Sequence, residues 1–191
     1  GVDLEGAANH KGSSFGRPLD CQPAQIDFEN RIALDLLKVQ DQHPQKSIIL
    51  EDESRNIGAR HLPNYFSDLM AQSAFVVIDM DFEERLERLW QEYVIERHSK
   101  TMAFYGPTGE QEFANYLTES LLRVRKRLGG QRTKELLASM KKAMVLQHQD
   151  NFASHRDWLR VLTHEYYDPM YSYQLEKKRE LVVFRGSRSE V

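Results

Sequence analysis

At 191 residues and 22.4 kDa, with 40% hydrophobic and 29% charged residues, the chain carries enough apolar content to bury a sizeable core. A net charge of -3 excludes a polycation, so any nucleic-acid contact has to come from a local basic patch. A single cysteine, Cys21, excludes an internal disulfide or a cysteine-only zinc cluster and fits a reducing cytosol. No apolar stretch approaches the roughly 18 residues of a membrane span. No basic-then-apolar leader opens the chain either, so a cytoplasmic location without a membrane partner is expected.

In chain order, Val2–Leu4 reads as the exit of a buried strand, with "GAANHKGSSFG" as the loop that follows. The expectation is that the strand and phosphate loop belonging just before residue 1 are missing from this chain. In "QIDFENRIALDLLKVQ", Phe28, Ile32, Leu36 and Val39 recur at helical spacing and predict an amphipathic helix. "SIILEDE" at 47–53 and "AFVVIDM" at 74–80 are near-continuous apolar runs, the pattern of strands covered on both faces. The helical segment "NYFSDLMAQS" lies between them.

From residue 82 the pattern turns helical and charged, breaks at Gly106-Pro107, and resumes over roughly 110–128, 131–149 and 151–166. "DPMYSYQ" predicts a turn or helix start, "ELVVFRG" at 180–186 a last strand, and "GSRSEV" a frayed tail. Alternation of strand and helix predicts a single α/β domain over 1–191. Its sheet is expected to be mostly parallel and of an incomplete P-loop NTPase or kinase-like type. A helical lid over 82–168 would be inserted before the last strand. A sheet short of a central strand exposes unpaired backbone, so poor stability or self-association is expected of this piece.

Three stretches bear chemistry. "GAANHKGS" approaches a P-loop but has Lys-Gly where Gly-Lys is required, so it is not a Walker A motif. His10, Lys11, Ser13 and Ser14 nevertheless supply donors for an anion, with a solvated turn as the alternative. "EDESRNIG" places Asp52 and Glu53 at a strand end, where carboxylates polarise water on Mg²⁺ or act as a base. Ser54, Arg55 and Arg60 follow as phosphate or substrate contacts, with a structural ion pair as the alternative. The run at 123–142 holds eight basic residues against Glu135 alone, and Arg123, Arg125, Lys126, Arg127 and Arg132 form a candidate RNA footprint. Trp158 reads as core. His148, His155 and His164, spaced by seven and nine, read as surface or capping residues rather than metal ligands.

"VDLEGAANHKGSSFG", "QPAQIDFENRIALDLL", "LEDESRNIG", "RVRKRLGG" and "YYDPMYSYQL", in this order, resemble the C-terminal half of the bacterial tRNA 2-selenouridine synthase family. The resemblance implies conversion of wobble 2-thiouridine to 2-selenouridine through an S-geranylated intermediate. It implies geranyl diphosphate and selenophosphate as small-molecule substrates, Mg²⁺ as a candidate ion, and tRNAs of the Lys, Glu and Gln type as partners. A monomer is expected at full length. In the family, a rhodanese-like domain with the reactive cysteine and a P-loop precede this region, and Cys21 does not replace that cysteine. His10, Lys11, Ser13 and Ser14 fall in the family's HRGSSFG-like loop, Lys11 standing where arginine is common, and Glu53, Ser54 and Arg55 fall in its E-S-R block. The alternatives are a P-loop kinase-like phosphotransferase and a non-catalytic tRNA-binding fragment.

Overall fold

A computed structural model describes residues 1–190. The chain divides into two compact units, residues 1–73 and the residues from Ala74 onward.

In the first unit, α1 (Leu4–Ala8) is capped by Asp3, whose Oδ1 accepts from Gly6 N–H at 2.6 Å. α2 (Gln25–Gln42) buries Phe28 and Ile32, with Leu36 and Val39 half-buried on the same stripe. β1 (Asn56–Ile57) and β2 (Arg60–His61) pair antiparallel around Gly58-Ala59, and α3 (Asn64–Ala71) follows. The hairpin turn needs a positive φ at its first position, which Gly58 supplies at +63°. Val2, Leu4, Ala7 and Ala8 form one apolar cluster with Phe28, Ile32, Ile57 and Leu62.

Two strand expectations are corrected here. Val2 pairs with Leu50 in one isolated parallel bridge rather than a ladder, and residues 4–8 are helical. Carboxylates at both ends of the sequence interval explain the second change. Asp3 caps the helix locally, and Glu51 Oε2 accepts from Leu4 N–H at 2.7 Å and Glu5 N–H at 3.2 Å. Amides that would otherwise enter a sheet are thereby satisfied in a helical turn.

The second unit opens with β3 (Phe75–Ile78) and closes with β4 (Val182–Gly186), which pair in parallel with Val76 opposite Phe184 and Ile78 opposite Gly186. Between them run α4 (Phe82–Trp90), α5 (Arg97–Tyr105), α6 (Gly109–Leu128), α7 (Gly130–Leu146), α8 (His155–Leu162) and α9 (Asp168–Lys177). π-Helical turns at Gln91–Glu96 and Thr163–Tyr167 carry α4 into α5 and α8 into α9 without a break. Gly106-Pro107 makes a short 3₁₀ corner between α5 and α6. Trp158, Phe113, Leu117, Leu121, Met140 and Leu162 are fully buried.

The architecture is mixed α/β, dominated by helices, with a small parallel strand pair and its helical segment ahead of the last strand, consistent with an incomplete P-loop-type sheet. Glu83 and Glu87 on α4 meet Arg160 and Arg156 on α8 in two bidentate pairs, the latter at 2.9 Å. The Arg156 guanidinium also lies 3.4 Å from the centre of the Trp90 ring. Ser187 is bonded to Glu190 by its N–H and hydroxyl, so this part of the tail forms a turn; the frayed end expected at Val191 lies outside the described residues.

Candidate active site

The loop at 10–16 and the acidic block at 51–55 meet in the first unit. Two glutamines brace the segments that flank them. Gln22 donates to the carbonyls of Ala8 (2.8 Å) and Ile57 (3.0 Å) and accepts from Ala59 N–H (2.6 Å), tying the end of α1 to the hairpin. Gln25 exchanges bonds with both backbone groups of His61. A side chain at Gly58 would collide with Gln22 and with the His10 ring, so the hairpin turn sits directly against the loop.

Within the loop, Lys11 N–H bonds Gly16 O and Gly16 N–H bonds Ser13 O, each at 3.0 Å, and Ser13 N–H bonds Lys11 O. These three amides serve loop closure rather than a ligand. Gly12 takes φ +52°, and a Cβ there would stand 2.5 Å from Glu53 Oε1, so the Glu53 carboxyl rests on the glycine itself. His10 is buried; Ser13 and Ser14 are half-buried and Lys11 is exposed.

Opposite the loop lies a carboxyl pair. Glu5, on α1, hydrogen bonds Glu53. Burial, then the Glu53 charge, the hydrogen bond to Glu53 and the Glu51 charge push Glu5 up to about 8, against a smaller opposing pull from Lys11. Glu53 is also raised, mainly by burial, with the charges of Glu51 and Asp52 adding and the Glu5 bond opposing. Like carboxylates this close share a proton, and the titration belongs to the pair. The pair therefore retains a proton to higher pH than a lone carboxyl would. The resemblance places Glu5, with Asp3, at the family's strand exit, but nothing in the sequence assigns it a site role or reveals its pairing with Glu53. Its signal was the strand-exit position of "DLEG", which directed attention to the loop instead.

The other predicted residues separate. Asp52 and Arg55 are exposed. Ser54 Oγ donates to Asn56 O at 2.9 Å, an ordering contact for the block. Arg60, on β2, is half-buried, and its Nε is buried without a hydrogen-bond partner. Such an unmatched donor costs about 1–3 kcal/mol.

In the second unit, Arg123, Arg125, Lys126 and Arg127 are exposed on the last turns of α6, where cations also complement the helix C-terminus. Arg127 contacts Met170 Sδ at 3.7 Å. Arg132 differs, because it pairs with Glu165 (Nε–Oε2 2.6 Å) and with Glu135 (2.7 Å). Its charge is already neutralised within the fold. Among the histidines, His148 and His164 are exposed as expected, but His155 is fully buried, so the surface or capping reading fails for it. The reason is a specific acceptor role: its Nδ1 takes the indole N–H of Trp158 at 3.0 Å. Burial lowers it to about 4, which keeps the ring neutral. No helix among the described residues is long and apolar enough to cross a membrane.

The family model described as tRNA 2-selenouridine synthase AAA domain matches residues 1–191. Proteins named tRNA 2-selenouridine synthase are similar over the whole chain. The one from Salmonella enteritidis PT4 is 47% identical, with 53% of its own length covered, and that from Shewanella frigidimarina 46% identical, with 52% covered. No solved structure matches the chain. The chain thus spans about half the length of the curated relatives it matches. On these matches, over a domain that seats the HKGSSFG loop against the EDESR block, the chain belongs to the tRNA 2-selenouridine synthase AAA-domain family.

Proposed function

We propose that this domain serves the replacement of sulfur by selenium in wobble 2-thiouridine, as a tRNA-modifying transferase acting through an S-geranylated intermediate. The small-molecule substrates would be geranyl diphosphate and then selenophosphate, and the partners tRNAs of the Lys, Glu and Gln type in the cytoplasm. The observation that carries the reading is the Glu5–Glu53 pair seated on Gly12.

The chemistry needs such a pair. Alkylating the 2-thio sulfur with a geranyl group releases diphosphate, and the base must lose its N3 proton, which a carboxylate accepts. The selenium of selenophosphate then adds at C2 and displaces geranylthiolate, which leaves as geranylthiol with a proton from a neutral carboxyl; water then cleaves the Se–P bond, releasing phosphate and leaving 2-selenouridine. A carboxyl pair that shares a proton can serve both demands in turn. Arg60, Arg55, Lys11 and His10 offer cations and donors for the phosphate groups. The shared proton competes with a divalent cation, so the pair fits proton transfer better than Mg²⁺ binding.

The test is nucleoside analysis of 2-thiouridine tRNA treated with the full-length protein. Glu53→Gln should slow geranylation by about 10²-fold or more while tRNA affinity is kept; an unchanged rate overturns the assignment. Arg55→Ala should raise the KM for geranyl diphosphate. Unchanged activity at limiting geranyl diphosphate would remove Arg55 from phosphate binding.

A further inference from the structure

In the helical unit, three ligand-type side chains from separate segments converge. Glu110, in the first turn of α6, faces His98 of α5 and His148 just beyond α7. Both histidines bring Nε2 to the same oxygen, Oε1, at 3.0 Å each. The three ligating atoms lie within 4.8 Å of one another.

The surroundings hold this arrangement in one orientation. Trp158 Nε1–H can only donate, so the His155 Nδ1 it meets carries a lone pair and His155 Nε2 carries the proton. That proton points at Gln147 Oε1, 3.2 Å away. The Gln147 amide is thereby oriented with its NH₂ toward Glu110, where Nε2 donates to Oε2 at 2.8 Å. One Glu110 oxygen is tied to the buried network, and the other is left to the two imidazoles. His98 is packed between the rings of Phe113 (5.1 Å) and Phe152 (4.8 Å), with only 14% of its side chain exposed. His148 is 61% exposed and closes the cluster from the solvent side.

We propose that His98, Glu110 and His148 bind a divalent transition-metal ion of the zinc class. Two imidazoles and one carboxylate are the donor set of a three-ligand zinc site, with a fourth position open to water. Tetrahedral zinc with bonds of about 2.0–2.1 Å needs its ligand atoms about 3.3 Å apart. The two histidine–carboxylate separations of 3.0 Å are close to that. The third separation, between the two imidazole nitrogens, is no more than 4.8 Å, and the exposed His148 ring has room to turn toward an ion. The Gln147 bond to Oε2 supplies the outer hydrogen bond that orients a ligating carboxylate. Hard cations such as Mg²⁺ prefer oxygen-only shells and are disfavoured here. A bound ion would link α5, α6 and the turn after α7.

The experiment uses untagged, chelator-treated protein titrated with Zn²⁺ by calorimetry and with Co²⁺ by visible absorption. The expected result is one ion per chain, a four-coordinate Co²⁺ spectrum, and a melting midpoint raised by Zn²⁺. His148→Ala and Glu110→Gln should each weaken binding at least tenfold and abolish the Zn²⁺ effect on melting. His148 is exposed, so its variant keeps the metal-free melting midpoint. His43→Ala, at the end of α2, should bind like the parent. No stoichiometric binding, affinity unchanged in both ligand variants, or loss of the metal in His43→Ala would overturn the proposal.

Discussion

Replacing Glu5 by Gln tests the carboxyl pair most directly. A carboxyl raised from 4.5 to about 8 in the folded chain is protonated there over a range in which the unfolded chain has already lost the proton. Its stabilising contribution is fully present below about pH 4.5 and is lost as pH rises through about 8. Taken whole, the shift corresponds to a ceiling of about 5 kcal/mol. Glu5 is only half-buried, so solvent screening lowers the working figure to about 2 kcal/mol. Glutamine is neutral at every pH and can still donate to Glu53. The variant should match the parent near pH 5 and exceed its stability by about 2 kcal/mol near pH 9. Urea unfolding, read by amide exchange on peptides from residues 1–73, isolates the relevant unit. Because other titrating groups are common to both proteins, the difference between them reports the pair. A parent-minus-variant difference that stays flat from pH 5 to 9 would refute the shared proton.

Gly12→Ala should destabilise the first unit by about 1–2 kcal/mol, because an L residue at φ +52° is strained and its Cβ displaces the Glu53 carboxyl. Thermal or urea unfolding checks it. In tRNA binding measured across a salt series, Arg125→Gln with Lys126→Gln should lower the slope of log affinity against log salt by about 1.5. Arg132→Ala should leave that slope unchanged and lower the melting midpoint, since Arg132 is committed to Glu165 and Glu135.

Elements whose stability is written in nearby residues were legible from the sequence. Phe28, Ile32, Leu36 and Val39 predict α2 because a helix buries a stripe using residues three and four apart. Trp158 reads as core for the same reason and is fully buried. Elements that depend on distant partners were not. Val2–Gly6 has strand-like composition, yet Glu51, 47 residues from Leu4, satisfies the amides of a helix there. "SIILEDE" has the apolar run of a strand, but among the described residues its backbone forms a single β-bridge, Leu50 with Val2. The site divides along the same line. Both of its sequence blocks were recognisable, whereas the Glu5–Glu53 pair and the meeting of His98 and His148 on Glu110 arise only when segments 12 and 38 residues from Glu110, or on opposite sides of α2, are folded together.

The parallel pairing of β3 with β4 has a kinetic consequence. Asp79 and Arg185, which clasp the end of this pair in a bidentate bond of 2.8 and 2.9 Å, are 106 residues apart in sequence. Closing an unstructured loop of that length costs about 4 kcal/mol in chain entropy, more than a four-residue parallel ladder returns. The helices must therefore assemble first and deliver the two strands to each other, which makes the ladder the last element to form and the first to open. A nick anywhere from α4 to α9 would then be felt at the strands before it is felt in the helices flanking the cut.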